Sequence, residues 1–519
     1  MVFFCRNSVD EGILREKGLL LMKKLKIIGL IGVFLQLVFS IIAVSLIIKL
    51  DVLPDFYIFM VVFVVALLFF ISVLFVISRS RFRVGIATIF SVLLSAFLAV
   101  ASFVYIMPAI NMLDDITTVK QTYLATYHII VKVDDPAVKP DDIKEYNIGV
   151  EKSHDFDAMK KALDGLAAEF NHTLNVIAYD NYTNMWNAFI EKSETGAILM
   201  ETNYYNIYKE YYTEQKDNIE NYVRVLGDIK VEMEHTDDEN NDKPESTVKK
   251  DVTVDPFVVY ISGIDVSGSI NQRSRSDVNI IMAVNPTTKK ITLATVPRDT
   301  YVQIPGITGD YYDKLTHAAI YGKNDCSVSI KTLEQNVYQG IEVDYWIRVN
   351  FTSLEKIVNA LGGVEVYSEY SYTSTFSGEK VYFKKGMNTM SGWKALIFSR
   401  ERVTVPGGEP QRGKNQLEVI KGIFNKITSP AILTSYNDVL DQLSENFLTN
   451  IPTEHITALA KMQLEDGASW DFETISVGVE YKYDYCYSMM DYGKLCVGVM
   501  DETTRQEAIS KLKATLGEK

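Results

Sequence analysis

The chain is predicted to be an α/β protein held at a membrane. Three transmembrane helices come first, then a small α/β domain, then a larger α/β/α sandwich with a central mixed sheet. Three observations predict this. Ile27–Ile48, Phe56–Ile77 and Val84–Met107 contain no charged residue, and about 20 apolar residues cross a bilayer core. Strand-length runs rich in Val and Ile then alternate with segments of helical spacing, which argues for a sheet covered by helices on both faces. Between the two α/β regions, residues 232–251 hold eight acids and three lysines with almost no large apolar group, a composition unable to bury enough surface to order itself.

Each of the three runs lacks the polar face of a soluble helix. Residues 1–26 precede them and residues 27–110 hold all three. Orientation follows from the flanks. Lys23, Lys24 and Lys26 precede the first span, Lys49, Asp51 and Asp55 lie between the first two, and Arg79, Arg81 and Arg83 lie between the second and third. The positive-inside bias makes the amino terminus and the second loop cytoplasmic, so the chain from about residue 110 onward is expected outside the cell. Residues 1–110 carry ten Lys/Arg and five Asp/Glu, leaving −19 on the remainder of a chain whose total is −14. Met22-Lys23-Lys24 reads as a more natural start than Met1, and no small-residue cleavage site follows the first span.

In the first outer region, residues 115–231, strands are predicted at Tyr146–Val150, Leu174–Tyr179 and Ala197–Met200. A helix is predicted at Asp155–Phe170, with Met159, Leu163, Leu166 and Phe170 on one stripe. No catalytic cluster is visible there. In the second region, residues 252–519, strands are expected at Phe257–Ile264, Val278–Val284, Ile291–Val296, Tyr345–Val349 and Gly363–Val366. Helices are expected at Ser327–Tyr338, Ser353–Leu361, Trp393–Arg400, Asn415–Ile427 and Gln506–Leu516. Four cysteines are too few for a disulfide scaffold, and no Cys/His spacing suggests zinc. Cys486 and Cys496 are candidates to close a loop across a turn at Asp491–Gly493, the alternative being two buried thiols.

The chemistry concentrates in short turn-rich stretches of the second region. Asp265 follows one predicted strand and Asp277 precedes the next, joined by a turn built from Ser267, Gly268, Ser269 and Asn271. That arrangement can return both carboxylates to one edge of the sheet. Magnesium is commonly held by one or two carboxylates together with substrate phosphates; taken singly, each aspartate is more often a turn cap. Arg275, Arg298, Arg400, Arg402 and Arg412 supply guanidinium forks that match phosphate oxygens, with Lys314 as a point charge. Arg400 and Arg402, two apart, would point to one side of an extended stretch. Outside a cell there is no nucleotide pool, so a phosphate substrate arrives on a carrier, and a lipid is the obvious one. Val343, Ile347, Val349, Leu361, Leu396 and Phe398 are candidates to line a slot for its tail, with ordinary core as the competing reading.

The ordered motifs Gly-Ile-Asp265, Arg275-Ser-Asp277, Val-Pro-Arg298-Asp299-Thr-Tyr-Val, Lys314-Leu-Thr-His-Ala, Val-Asp344-Tyr-Trp-Ile, Leu-Gly-Gly-Val-Glu-Val and Ser-Arg400-Glu-Arg402 resemble the LytR–CpsA–Psr family. The match covers roughly residues 255–430, and the three spans resemble its multi-span capsule-type members, which carry an accessory domain where residues 115–231 lie. The resemblance implies a cell-envelope phosphotransferase of Gram-positive type. It would move a glycopolymer (capsule, teichoic acid or another wall glycan) from an undecaprenyl-pyrophosphate carrier to peptidoglycan, at the 6-hydroxyl of N-acetylmuramic acid. By motif position, Asp265 and Asp277 would hold Mg2+. Arg275, Arg298, Lys314, Arg400, Arg402, Arg412 and Gln416 would bind the pyrophosphate, with Arg275, Arg298, Arg400 and Arg402 also stabilising the reacting group.

Phosphoryl transfer is mostly positioning and charge stabilisation, and no protein nucleophile is evident. Asp299 is the candidate base, with a metal-side aspartate or His317 as alternatives. The chain departs from the family's Gly-Asp-x-x-Arg-x-x-Arg-Gln: Glu409 replaces the acid and Asn415 the second arginine, with Lys414 a candidate to supply the missing charge. That departure keeps a non-catalytic binder or presenter of lipid-linked polymer as the alternative reading, together with a regulatory membrane protein. Binding to nucleic acid is disfavoured, because the large outer domains are acidic.

Overall fold

The computed structural model describes residues 2–117, 122–191, 194–234, 250–264, 266, 269–322, 325–429, 447–490 and 492–518. Most of the acidic stretch 232–251, Asp265, Ser267, Gly268 and Asp491 lie outside the described residues. The chain divides into two compact units, one of Met1–Asp115 with Thr453–Ala468, the other of Ile116–Pro452 with Ser469–Lys519.

In the first unit, α1 (Val2–Leu50), α2 (Asp55–Ile77) and α3 (Arg81–Val100) form a three-helix cluster, and α3 continues through a π-helical turn, Ala101–Ile106, into α4 (Met107–Thr117). Leu20–Leu50, Asp55–Ile77 and Arg81–Leu113 are long and apolar enough to cross a membrane. Large apolar side chains such as Phe34, Phe63 and Leu93 face outward, as a lipid-facing surface requires. Small residues let the backbones approach: a Cβ added at Gly32 would lie 2.6 Å from Ser91 Oγ. A helix from much later in the chain, Thr453–Asp466, belongs to this unit. Its Lys461 Nζ lies 3.1 Å from Asp55 and 3.4 Å from Asp51, and Thr453 Oγ1 donates to the Leu113 carbonyl. The first loop and the end of the third apolar helix therefore share one side with Thr453–Asp466.

The second unit contains two mixed sheets. In the five-stranded sheet the order is β3-β2-β4-β1-β5: β1 (Thr122–Lys132), β2 (Asn147–Glu151), β3 (Asn175–Tyr179), β4 (Ala197–Glu201) and β5 (Val223–Glu234). Three helices accompany it: α5 (Phe156–Phe170), α6 (Tyr182–Glu191) and α7 (Thr202–Glu214). The expected strands and the helix α5 are present, and the side chain of Asp155 caps α5 by accepting from Ala158 N–H. β1, β5, α6 and α7 were not anticipated. β1 runs eleven residues and buries side chains on both faces in places, so it shows no clean alternation, whereas β5 alternates only over its second half.

In the six-stranded sheet, β6 (Phe257–Ile264), β7 (Ser276–Asn285), β8 (Lys290–Thr295), β11 (Tyr345–Asn350), β16 (Phe447–Thr449) and β17 (Asp471–Ser476) lie in the order β16-β11-β6-β7-β8-β17. Between β8 and β11 come the short β9 (Tyr301–Val302), β10 (Asp313–Lys314) and α8 (Ser327–Thr332). Pairing is parallel for β11 with β6 and for β17 with β8, and antiparallel elsewhere. The predicted central mixed sheet is thus present. Alternate side chains leave β8 on opposite faces. Thr292 bonds Thr515 of the closing helix Glu502–Leu516, whereas Thr295 faces Gly413 on a helix of the other layer, α11 (Gly408–Ile427). Two further helices, α9 (Phe351–Ala360) and α10 (Gly392–Arg400), share a core with α11 built on Tyr372, Phe383 and Phe398.

Two helical predictions need correction. Ser327–Tyr338 is not one helix: α8 gives way to a π-helical turn, Leu333–Val337. α11 begins seven residues before Asn415. Gly407, at φ +92°, opens it in the left-handed region that glycine tolerates, and Pro410 falls within the first turn, where no backbone donor is needed.

Candidate functional site

The carboxyl ends of β6 and β8 and the start of β7 meet at one edge of the six-stranded sheet, where α/β folds place ligands. Ile264 pairs with Ser276, so Asp277 sits at this edge, inside β7 and not before it. After β8 the chain turns at Pro297-Arg298-Asp299-Thr300. Thr300 N–H and Oγ1 both donate to the Pro297 carbonyl, and Thr316 N–H donates to that of Arg298. This pins Arg298 against Asp277, with Nη1 at 2.7 Å from Oδ2. The second oxygen of Asp277 accepts from Thr316 Oγ1 at 3.1 Å.

A cavity of about 630 Å3 opens here. Arg275, Asp277, Arg298, Asp299, Arg400, Arg402, Arg412 and Gln416 all line it. Sequence reasoning named each of them, and the fold brings them together from β7, two loops, α10 and α11. Arg400 ends α10, and its guanidinium lies 4.0 Å above the Phe351 ring and 4.7 Å from that of Phe376. Glu401 then turns extended, and Arg402 follows on the same cavity, so the two arginines are presented by a helix end and its exit. Arg412 and Gln416 are one helical turn apart on α11, with Arg412 paired to Glu409 and Gln416 Nε2 donating to the Ser399 carbonyl at 3.2 Å.

Lys314 is 1% exposed behind the cavity, with Nζ 2.7 Å from Glu210, 3.3 Å from Asp299 and 3.5 Å from Glu214. Glu210 also takes Arg275 Nη1 at 2.6 Å. These acids come from α7, beside the other sheet. Asn206, Lys209, Glu210, Thr213 and Glu214 form the cavity wall, at the i, i+3, i+4, i+7, i+8 spacing of one helix face. The opposite face buries Tyr204, Tyr205, Ile207, Tyr208 and Tyr212. Sequence reasoning missed this wall. A charged stripe against a tyrosine stripe was the available signal, but it reads equally as a solvated surface.

Burial alone would raise the pKa of Asp277, but Arg298, Arg275 and Arg412 override it and hold the carboxyl below its ordinary range. Glu210 is held well below for the same reason, with burial opposed by Lys314, Arg275 and Arg298. Burial dominates at Glu409 and Glu214 and raises both. Lys314 and Arg298 are raised: burial opposes this, and the surrounding carboxylates outweigh it. Among the described residues, Arg298 Nε, Arg412 Nε, Asp299 Oδ1 and Glu409 Oε2 are buried without a hydrogen-bond partner. Unsatisfied donors and acceptors of this kind call for an explanation, and a ligand carrying both an anion and a cation provides one. No group of three or more metal-type ligands occurs among the described residues. The hard oxygens of Asp277 nevertheless fit magnesium that takes its remaining ligands from phosphate and water.

Several expectations change. His317 is fully buried, with Nδ1 2.7 Å from Asp313 and 3.1 Å from Ser488 Oγ, and it is not among the cavity-lining residues. It is a structural histidine. Lys414 projects away to Glu369 at 3.6 Å, so it does not replace an arginine in the cavity. Asn415 is buried, with Nδ2 donating to the Phe398 carbonyl at 3.3 Å. Leu361 and Phe398 belong to the α9–α11 core and Val343 packs on another, so the six apolar candidates form no single slot. Cys326, Cys486 and Cys496 are free thiols, and the Cys496 N–H donates to Glu214. The proposed metal ligand Asp265 lies outside the described residues.

Fold and site together define an α/β protein with three membrane-length apolar helices and an arginine-lined cavity. Residues 222–506, more than half of the chain, match the LytR_cpsA_psr family. The chain belongs to the LytR–CpsA–Psr family. It is 35% identical over 208 residues to the polyisoprenyl-teichoic acid–peptidoglycan teichoic acid transferase TagU of Enterococcus faecalis, which covers 40% of this chain and 65% of the relative. It is 32% identical over 251 residues to TagT of Bacillus subtilis, 45% of this chain and 75% of the relative. The match to the enterococcal relative thus falls just short of two thirds of its length. The crystal structure of Bacillus subtilis TagV aligns with 51% of this chain and 98% of its own at a TM-score of 0.42 and 24% identity.

Proposed function

We propose that the protein transfers a glycopolymer from a polyprenyl-pyrophosphate carrier to peptidoglycan, on the outer side of the membrane. The observation that carries this reading is the convergence of Arg275, Arg298, Arg400, Arg402 and Arg412 with Asp277 and Asp299 on one cavity. The names of the relatives, teichoic acid transferases, support the same class of donor and acceptor.

The guanidinium forks bind and orient the two phosphates. An acceptor hydroxyl oxygen attacks the phosphorus that bears the glycan. The new P–O bond forms as the bond to the bridging oxygen breaks, and polyprenyl monophosphate leaves. Arg298 and Arg412 meet the charge that develops on the leaving oxygen. Asp299, on the cavity wall, receives the acceptor proton. Magnesium bound by Asp277, with Asp265, would neutralise phosphate charge. The test is transfer of radiolabelled glycan from a polyprenyl-pyrophosphate donor to peptidoglycan oligomers by the full-length protein in nanodiscs with magnesium. Binding of the donor without transfer would establish the non-catalytic alternative.

A further inference from the structure

The cations assigned to the pyrophosphate already hold an anion. Glu210 places one carboxylate oxygen 2.6 Å from Arg275 Nη1 and the other 2.7 Å from Lys314 Nζ, so it bridges the two cations with charge-assisted bonds of the kind a phosphate would make. The side chain is 17% exposed and lines the cavity. Its neighbour one turn on, Glu214, also reaches Lys314. A ligand that takes Arg275 and Lys314 has to move Glu210 aside.

We propose that Glu210 is a specificity-determining residue of the cavity, an internal carboxylate that competes with the second phosphate of an incoming pyrophosphate for Arg275 and Lys314 and so limits the preference for pyrophosphate over monophosphate. This rests on the pyrophosphate reading above. A pyrophosphate carries two linked anionic groups. One can engage Arg298, Arg400, Arg402 and Arg412 while the other displaces Glu210, and the first contact holds the second at high local concentration. A monophosphate, having a single group, takes either set of cations but not both. It therefore gains less from displacing Glu210. In the transfer reaction the donor is a pyrophosphate and the leaving product a monophosphate. Return of Glu210 to Arg275 and Lys314 then favours product release, and the second sheet's unit contributes directly to turnover through α7.

The experiment is titration calorimetry of the full-length protein in nanodiscs with inorganic pyrophosphate and, separately, inorganic phosphate, both with magnesium. Wild type, Glu210→Gln and Glu210→Asp are compared. Glu210→Gln keeps the side-chain volume, and Lys314 retains Asp299 at 3.3 Å and Glu214 at 3.5 Å, so its charge stays paired. The expected result is a roughly tenfold or greater gain in affinity for pyrophosphate in Glu210→Gln and a smaller gain for phosphate, so that the pyrophosphate-to-phosphate ratio widens; a narrowed ratio overturns the proposal. Glu210→Asp, still an acid but shorter, should fall between the two. Pyrophosphate binding that is unchanged or weaker in Glu210→Gln overturns the proposal and leaves the pyrophosphate reading intact, as does an unaltered ratio. Failure of all three proteins to bind pyrophosphate overturns both.

Discussion

At the scale of single residues, the cavity is a set of buried charges that hold one another in place. Arg298 is the hinge of the set, because it faces Asp277 and Asp299 together. Replacing it with alanine should lower the transfer rate by roughly 100- to 1000-fold, the usual effect of removing one preorganised charge-stabilising donor, measured with the radiolabelled donor. Acid stability follows from the same contacts. Asp277 and Glu210 are both held below the usual carboxylate range in the fold. Each contributes stability that is complete above the unfolded value, about 4, and is lost as pH falls through the folded value. The thermal unfolding midpoint should therefore drop steeply in acid below about pH 4. In Glu210→Gln that drop should be shallower, read by circular dichroism across a pH series.

At the scale of elements, α10 and α11 turn sequence-distant arginines into neighbours. α10 starts against α9 so closely that a Cβ at Gly392 would stand 1.9 Å from the Glu355 carbonyl oxygen. Gly392→Ala should push the helix off its seat and cost about 3 kcal/mol, seen in denaturant unfolding, with a further loss of activity as Arg400 leaves the Phe351 and Phe376 rings. Asn415 makes the opposite point. It occupies the family's arginine position but sits in the core, donating to the Phe398 carbonyl and accepting from Gln411. Restoring the family residue with Asn415→Arg should destabilise the protein by about 1–3 kcal/mol without raising transfer, since this position faces away from the cavity. The helical register of α11, which places Arg412 and Gln416 inward and Lys414 outward, follows from its start at Gly408, and that start was read seven residues too late in the sequence.

At the scale of the whole molecule, the charges flanking the three apolar helices predict that the chain after residue 110 lies outside the cell. Val138 is 79% exposed beside the five-stranded sheet, and Arg83 lies in the first turn of α3, at its basic end. In intact cells a membrane-impermeant maleimide should label Val138→Cys above the wild-type background and leave Arg83→Cys unlabelled. The reverse pattern would invert the proposed topology.

The sequence determined the three apolar segments, the mixed sheet and the arginines and aspartates on the cavity, because hydrophobic runs, strand alternation and ordered motifs are local signals. It did not reveal the α7 wall. Glu210 lies 65 residues from Arg275 and 104 from Lys314, in a segment without a motif. Only packing of α7 against Met489, Leu495 and Val497, far along the chain, brings that carboxylate to the cations, and a surface stripe and a cavity wall have the same periodicity until that packing is known. The tertiary structure likewise decided against His317 and Lys414. Both are plausible by residue type, and what excludes them is the direction in which a side chain leaves its helix, which spacing to distant partners does not encode.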